Sequence, residues 1–272
     1  MDTKAIRTAL RRWGLYVRTF IKWTAAAAVI GAACGLVGTL FHFGVHEVTA
    51  FRGTHPWVLY LLPLAGLVIV GFYKLTGTDG LGTDDIIDAV HQGKLLPILL
   101  LPAIFFGTIL THLCGGSAGR EGAALQMGGT IGQYLGRHFQ LDDRDLRVAT
   151  LAGMAAFFSA LFGTPLAATV FAIMVISIGV IYHVALYPSL LAALVAYGVS
   201  IHLGVEPTRF AVSVPEQTVG MFVRVALLGV LCALVSILFC QVMHGAGHLM
   251  KRIRNPWLRV ACGGAAIIVL TL

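Results

Sequence analysis

From Trp23 to about Ala50 the chain carries no lysine or arginine and a single acid, Glu47. A hydrocarbon core is crossed by roughly 20 helical residues, so this stretch can span a membrane and is too long for the apolar part of a secretion signal. Further apolar runs extend from about Trp57 to Tyr73, Leu96 to Cys114, Val148 to His183, Ala185 to Leu203, Val219 to Met243 and Trp257 onward. Lipid offers no hydrogen bonds to a bare backbone, so runs of this length fold as transmembrane helices. The expected class is an all-α, polytopic membrane protein.

Composition points the same way, with 58% hydrophobic and 11% charged residues against about 25% charged in a soluble domain. Collagenous, disordered and disulfide-stapled chains are excluded on the same ground. The five cysteines, Cys34, Cys114, Cys232, Cys240 and Cys262, lie in apolar stretches and are expected as buried thiols. A net charge of +7 would suggest nucleic acid in a soluble protein. Here placement decides otherwise: Lys4, Arg7, Arg11, Arg12, Arg18 and Lys22 precede the first span, and Lys251, Arg252, Arg254 and Arg259 crowd one short connection. Basic clusters beside apolar spans mark the cytoplasmic face. Residues 1–22 are accordingly expected as a cytoplasmic N-terminal segment of a multi-pass inner-membrane protein, whose partner is lipid and not nucleic acid.

Sliding the chain along itself gives a match at an offset of 198 residues. Gly31, Cys34, Leu36, Val37, Leu40, Phe41 and His46 recur as Gly229, Cys232, Leu234, Val235, Leu238, Phe239 and His244, and Pro56-Trp57 recurs as Pro256-Trp257. The first copy begins at the basic tail and its match ends at the basic Lys251 to Arg259 cluster, so the two run through the membrane in opposite directions. Such an inverted repeat places an ion site near the midplane between its halves. Residues 23–204 form the first repeat and 205–272 the start of the second. The second copy reaches only Leu272, so its later part is expected to be missing.

Several runs are interrupted, by Pro97 and Pro102 in one and by Gly163-Thr164-Pro165 in another, while Glu121 to Gly136 is short and glycine-rich. Broken helices at membrane depth are tolerated where the freed backbone lines an enclosed cavity, an arrangement typical of transporters. The chain has four glutamates, and Glu47, Glu206 and Glu216 lie near span ends. Glu121 is the only carboxylate between Asp88 and Asp142, inside Gly115-Gly116-Ser117-Ala118-Gly119-Arg120-Glu121-Gly122. Gly128, Gly132 and Gly136 follow at four-residue spacing, a face that lets helices approach closely. A glycine-rich turn opening a helix presents free N–H groups and the positive end of the helix dipole, which together bind anions. A carboxylate there would compete with an anion when charged and release the site when protonated. The plainer alternative is an acid that only complements the dipole, but an ionisable group at membrane depth favours a functional role. A second such turn, Gly77-Thr78-Asp79-Gly80-Leu81-Gly82-Thr83-Asp84-Asp85, leads into a short helix that Thr83 or Asp84 can cap, with Asp84 and Asp85 as cap and interface acids.

Gly119-Arg120-Glu121-Gly122 with Gln126-Met127-Gly128-Gly129, Gly80-Leu81-Gly82 about 40 residues earlier and Phe162-Gly163-Thr164-Pro165-Leu166-Ala167 later resemble the CLC family of chloride channels and proton-coupled anion antiporters. The resemblance spans about residues 20 to 272. It implies a homodimer with a separate pore in each subunit, each subunit an inverted repeat. It also implies Glu121 as the gating glutamate, Gly119, Arg120, Gly122 and Ala123 at the external anion site, and Gly80, Leu81 and Gly82 at the central one. Leu81 stands where chloride-selective members have serine, and Ala123 where they have proline, departures that resemble the fluoride-exporting branch. The proton-transfer glutamate of chloride antiporters matches Met174 or Val175, and no carboxylate lies between Asp145 and Glu206. Transport of chloride or fluoride, with protons as a possible coupled ion, is the implied function, and a non-transporting remnant or assembly partner is the alternative.

His42 and His46, and His244 and His248, stand four apart, yet no third ligand joins either pair at useful spacing and no metal is implied. Phe43, Phe51, Trp57, Tyr60, Tyr182 and Tyr187 read as interfacial anchors. The acidic and basic run Asp142 to Arg147 reads as a solvated cytoplasmic loop capping the next helix. No Ser/His/Asp, metal-ligating or paired-carboxylate constellation is visible, so neither an enzyme nor a cofactor is expected.

Overall fold

The computed structural model describes residues 3–176, 181–208 and 216–272, with side chains from residue 12 onward. The basic side chains of Lys4, Arg7 and Arg11 and the segment 177–180 within the long Val148 to His183 run therefore lie outside the described residues. The elements in chain order are α1 (Thr3–Thr54), a 3-10 turn (Pro56–Leu61), α2 (Leu62–Thr76), α3 (Thr83–Gln92), α4 (Leu100–Leu113), α5 (Arg120–His138), α6 (Asp143–Phe162), α7 (Pro165–Val175), a short 3-10 turn (His183–Ala185), α8 (Leu186–His202), α9 (Val219–Lys251) and α10 (Pro256–Thr271). The described residues contain no strand. Among the described residues, five stretches are long and apolar enough to cross a membrane: Arg12–Thr54, Pro56–Thr76, Asp143–Phe162, His183–His202 and Val219–Lys251.

Helix α1 runs unbroken through residue 22, so the basic leader and the first span are one helix of 52 residues, about 78 Å long at 1.5 Å per residue. No proline interrupts it, and its lysines, arginines and alanines favour helix. Other boundaries follow local chemistry. Pro97 precedes α4, while Pro102 sits in its first turn, where a missing N–H costs little; the helix continues through it instead of breaking. Gly163, at φ +69°, ends α6 in the left-handed conformation that glycine adopts freely, and Pro165 starts α7 two residues on. Asp142 caps α6, its Oδ1 accepting the Asp145 N–H at 2.8 Å, and Asp145 is paired with Lys22 of α1.

Helix α6 lies at the centre, packed by α5, α8, α1 and α7, and its residues 148–157 are all buried. Small residues make this possible. A β-carbon added at Gly132 would lie 2.2 Å from the Ala149 carbonyl oxygen, and one at Gly153 would lie 2.1 Å from the Gly128 carbonyl oxygen. The glycine face expected of α5 is thus the seam on which α5 and α6 meet. Helix α1 joins the same region: Cys34 Sγ donates to the Gly153 carbonyl at 3.6 Å, and Phe41 packs on Phe105 and Phe157.

The two Pro-Trp copies both open a helical stretch that follows a long helix, and the resulting α2 and α10 pack together. Added β-carbons at Gly71, Gly66 and Gly264 would approach Trp257, Val260 and Pro63 respectively, so α2 and α10 run antiparallel. An antiparallel pair of this kind is compatible with the inverted repeat expected from the sequence. Helix α9 differs from its counterpart: none of its residues is buried, whereas α1 packs on α4, α5, α6 and α8. The expectation of five buried thiols is corrected accordingly. Cys34 and Cys114 are buried, and Cys232, Cys240 and Cys262 are exposed: Cys232 and Cys240 lie on α9, none of whose residues is buried, and Cys262 lies on α10 where its packing on α2 leaves it uncovered.

Candidate functional site

The turn Gly115 to Gly119 delivers the chain to the start of α5, where Gly119 is the extended N-cap at φ −73° and ψ 143°. No side-chain hydrogen bond caps this helix, which leaves its first N–H groups and the positive end of its dipole at the turn, and Glu121 lies in the first turn. The Glu121 carboxylate folds back over that start: its Oε2 would lie 3.0 Å from a β-carbon placed on Gly119. Glu121 and Gly119 are exposed, Gly122 is half-buried and Ala123 is buried. Arg120 points elsewhere, its guanidinium 5.6 Å from the ring centre of Phe162, the last residue of α6. Arg52, near the end of α1, lies beside Gly115 and brings a second guanidinium to this end of the molecule.

The second glycine-rich turn meets the first. Gln126 Nε2 donates to Thr83 Oγ1 at 3.1 Å, and a β-carbon on Gly122 would lie 3.4 Å from the same hydroxyl. One amide therefore fastens the beginnings of α3 and α5 together. Gly80 occupies the left-handed region at φ +83°, and added β-carbons at Gly80 and Gly82 would meet no atom within 4 Å, so open space borders this turn. Leu81 packs partly against the main core, and its N–H donates to the Thr78 carbonyl at 3.2 Å.

The cap of α3 is Gly82, where the sequence pointed to Thr83 or Asp84; Thr83 instead accepts from Gln126. Asp85 reaches back from the third helical position, its Oδ2 accepting the Gly82 N–H at 2.8 Å, and pairs through its other oxygen with Lys94. This half of a capping box explains why no hydroxyl is needed at the cap. The Gly82 amide, assigned to the central anion site by resemblance, is thus engaged by the chain's own carboxylate. Asp85 thus takes the capping part expected of it, whereas the Thr83–Gln126 bond and the pairing of Asp85 with Lys94 were not foreseen. A long amide in the first turns of a glycine-rich membrane helix was the available signal. Among the described residues no three histidines, cysteines or carboxylates are grouped as metal ligands.

Residues 65–272 match the family described as the voltage-gated chloride channels. The chain belongs to that family. It is 38% identical over 253 residues to a chloride/fluoride channel protein of Pseudomonas syringae pv. tomato, covering 91% of this chain and 56% of the relative. A proton/chloride exchange transporter of Vibrio campbellii is 32% identical over 163 residues, 54% of this chain and 35% of that protein. Among solved structures, a CLC-type fluoride/proton antiporter superposes with a TM-score of 0.87 at 32% identity, covering 92% of this chain and 65% of that one. The chain thus spans a little over half the length of the first relative, and the family membership carries the fold and the membrane setting.

Proposed function

We propose that the protein moves halide anions across the membrane through a CLC-type pore in which Glu121 is the gate, and that it exchanges them for protons. The observation that carries this reading is the Glu121 carboxylate folded over the uncapped start of α5, beside a second helix start tied to it through Gln126 and Thr83. A helix start of this kind attracts an anion, and a carboxylate on a side chain can occupy it when charged and leave when protonated. Gly119, Arg120, Gly122 and Ala123 then border the outer anion position, and Gly80, Leu81 and Gly82 the inner one. Residues 23–204 act as the first repeat and 205–272 as the opening of its inverted partner. The N-terminal basic segment faces the cytoplasm of the inner membrane, and the protein works as a homodimer with one pore per subunit.

Fluoride is the favoured ion. The apolar Leu81 stands in place of the serine hydroxyl of chloride-selective members, and two of the relatives similar to this chain are named for fluoride. The test uses purified full-length protein in vesicles loaded with equal fluoride and chloride and read by ion-selective electrodes. Fluoride efflux well above chloride efflux is expected. Chloride efflux equal to or faster than fluoride efflux would overturn the fluoride assignment, and no efflux of either ion would overturn the transport reading.

A further inference from the structure

The cations around the α9–α10 connection are left unanswered by the described chain. Lys251, Arg252 and Arg254 are exposed, Arg259 lies near the start of α10, and Lys74 of α2 stands over the Trp257 ring at 5.1 Å. None of these five groups has an ion pair among the described residues, and neither residues 217–272 nor α2 contains an aspartate or glutamate. The positive end of the α10 dipole adds to the same charge. Topology alone accounts for a basic cluster beside a span, but it does not account for how Arg259 is placed. Arg259 Nε and Nη2 donate to the Ile253 carbonyl at 3.1 and 3.0 Å, so two of the five guanidinium N–H groups are used and three are not among the described residues.

The same arginine lines a cavity of about 390 Å³ between α2 and α10. Ile69, Val70, Val260 and Ile267 form apolar walls and are only half-buried, so the cavity opens at the molecular surface. Gly263 also borders it, and a β-carbon there would meet no atom within 4 Å. From Arg259 to Ile267 the cavity follows α10 for about 12 Å at 1.5 Å per residue. Of the other polar side chains in its lining, Thr111 already donates to the Gly107 carbonyl, and Ser117 is exposed. An apolar trough therefore ends at a guanidinium with unused donors, among further cations.

We propose that this trough holds an anionic phospholipid. The lipid phosphate accepts hydrogen bonds from Arg259, the head group lies among Lys251, Arg252 and Arg254, and one acyl chain runs between α2 and α10 toward Ile267. A free anion would leave the apolar walls unused, and a neutral lipid would leave the cations unanswered; a lipid anionic at one end and apolar along its length matches both. Such a lipid binds across the contact between α2 and α10 and stabilises it by mass action. The assignment is independent of the role given to Glu121.

The test uses full-length protein in a neutral detergent, with dioleoyl phosphatidylglycerol or dioleoyl phosphatidylcholine added and the thermal midpoint as readout. Phosphatidylglycerol is expected to raise the midpoint at least about 3 °C more than phosphatidylcholine does. Gly263→Leu fills the cavity and leaves every cation in place, while Gly229→Leu adds the same side chain on α9, where a β-carbon also meets open space. The excess shift should disappear in Gly263→Leu and persist in Gly229→Leu. Arg259→Gln, read against its own midpoint without lipid, should lose roughly half of the excess or more. Equal shifts from the two lipids, an excess in Gly263→Leu equal to that of the parent, or the same shift from inorganic phosphate alone would overturn the proposal.

Discussion

Glu121 and Asp85 are both acids in the first turn of a helix, and their surroundings separate them. Glu121 is exposed and has no ion pair among the described residues, whereas Asp85 holds the Gly82 N–H and Lys94. The hydrogen bond from Lys94, and next the one from Gly82, hold the Asp85 carboxyl below the ordinary aspartate range. α3 is not among the membrane-spanning stretches, so this pair bears on stability through pH. A lowered folded-state pKa contributes stability that is present above the ordinary aspartate range and disappears as pH falls through the folded value. The expected outcome is a thermal midpoint for Asp85→Ala below the parent at neutral pH, with the gap closing as pH is lowered past the ordinary aspartate range; a gap independent of pH would contradict the pair. Glu121 stood out in the sequence because an isolated carboxylate in a glycine-rich apolar stretch is costly to hold at membrane depth. The capping part of Asp85 was legible too, but its pairing with Lys94 was not, because the Lys94 segment is held by Gln133 of α5, which donates to the Lys94 carbonyl at 2.9 Å and accepts the Leu96 N–H at 2.7 Å.

At the scale of elements, the four-residue spacing of Gly128, Gly132 and Gly136 announced a close helix contact, and its partner, Gly153 of α6, could not be read because one glycine in an alanine-rich helix has no period. The contact is backbone against backbone, so neither side can yield by turning a side chain. Gly153→Ala or Gly132→Ala should each destabilise the protein by at least about 1–3 kcal/mol through overpacking. Gly14→Ala, in open space on α1, should be neutral or stabilise by up to about 1 kcal/mol. Denaturant unfolding in detergent separates the cases, and equal behaviour of Gly153→Ala and Gly14→Ala would contradict the close approach. The same seam sets the site, since α5 carries Glu121 at one end and is held along its length by α6.

For the whole molecule, the long apolar spans and the helical stretch that follows each Pro-Trp were legible in the sequence, and the inversion proposed for the two repeats rests on the basic clusters and that recurrence. The antiparallel α2 and α10 agree with both. What each repeat packs against was less legible. Cys34 and Phe41 of α1 are buried, while the matching Cys232 and Phe239 of α9 are exposed, because burial depends on which elements surround a helix and not on its own residues. The central claim concerns one side chain set within this frame. Glu121→Gln keeps the size and shape of the proposed gate and resembles its protonated, neutral form, but it can neither carry the charge nor take up and release a proton. In vesicles containing the full-length protein, fluoride efflux and accompanying proton movement are recorded together. The account predicts that Glu121→Gln retains or increases fluoride efflux and abolishes the proton movement coupled to it; fluoride and proton movement both equal to those of the parent would contradict it.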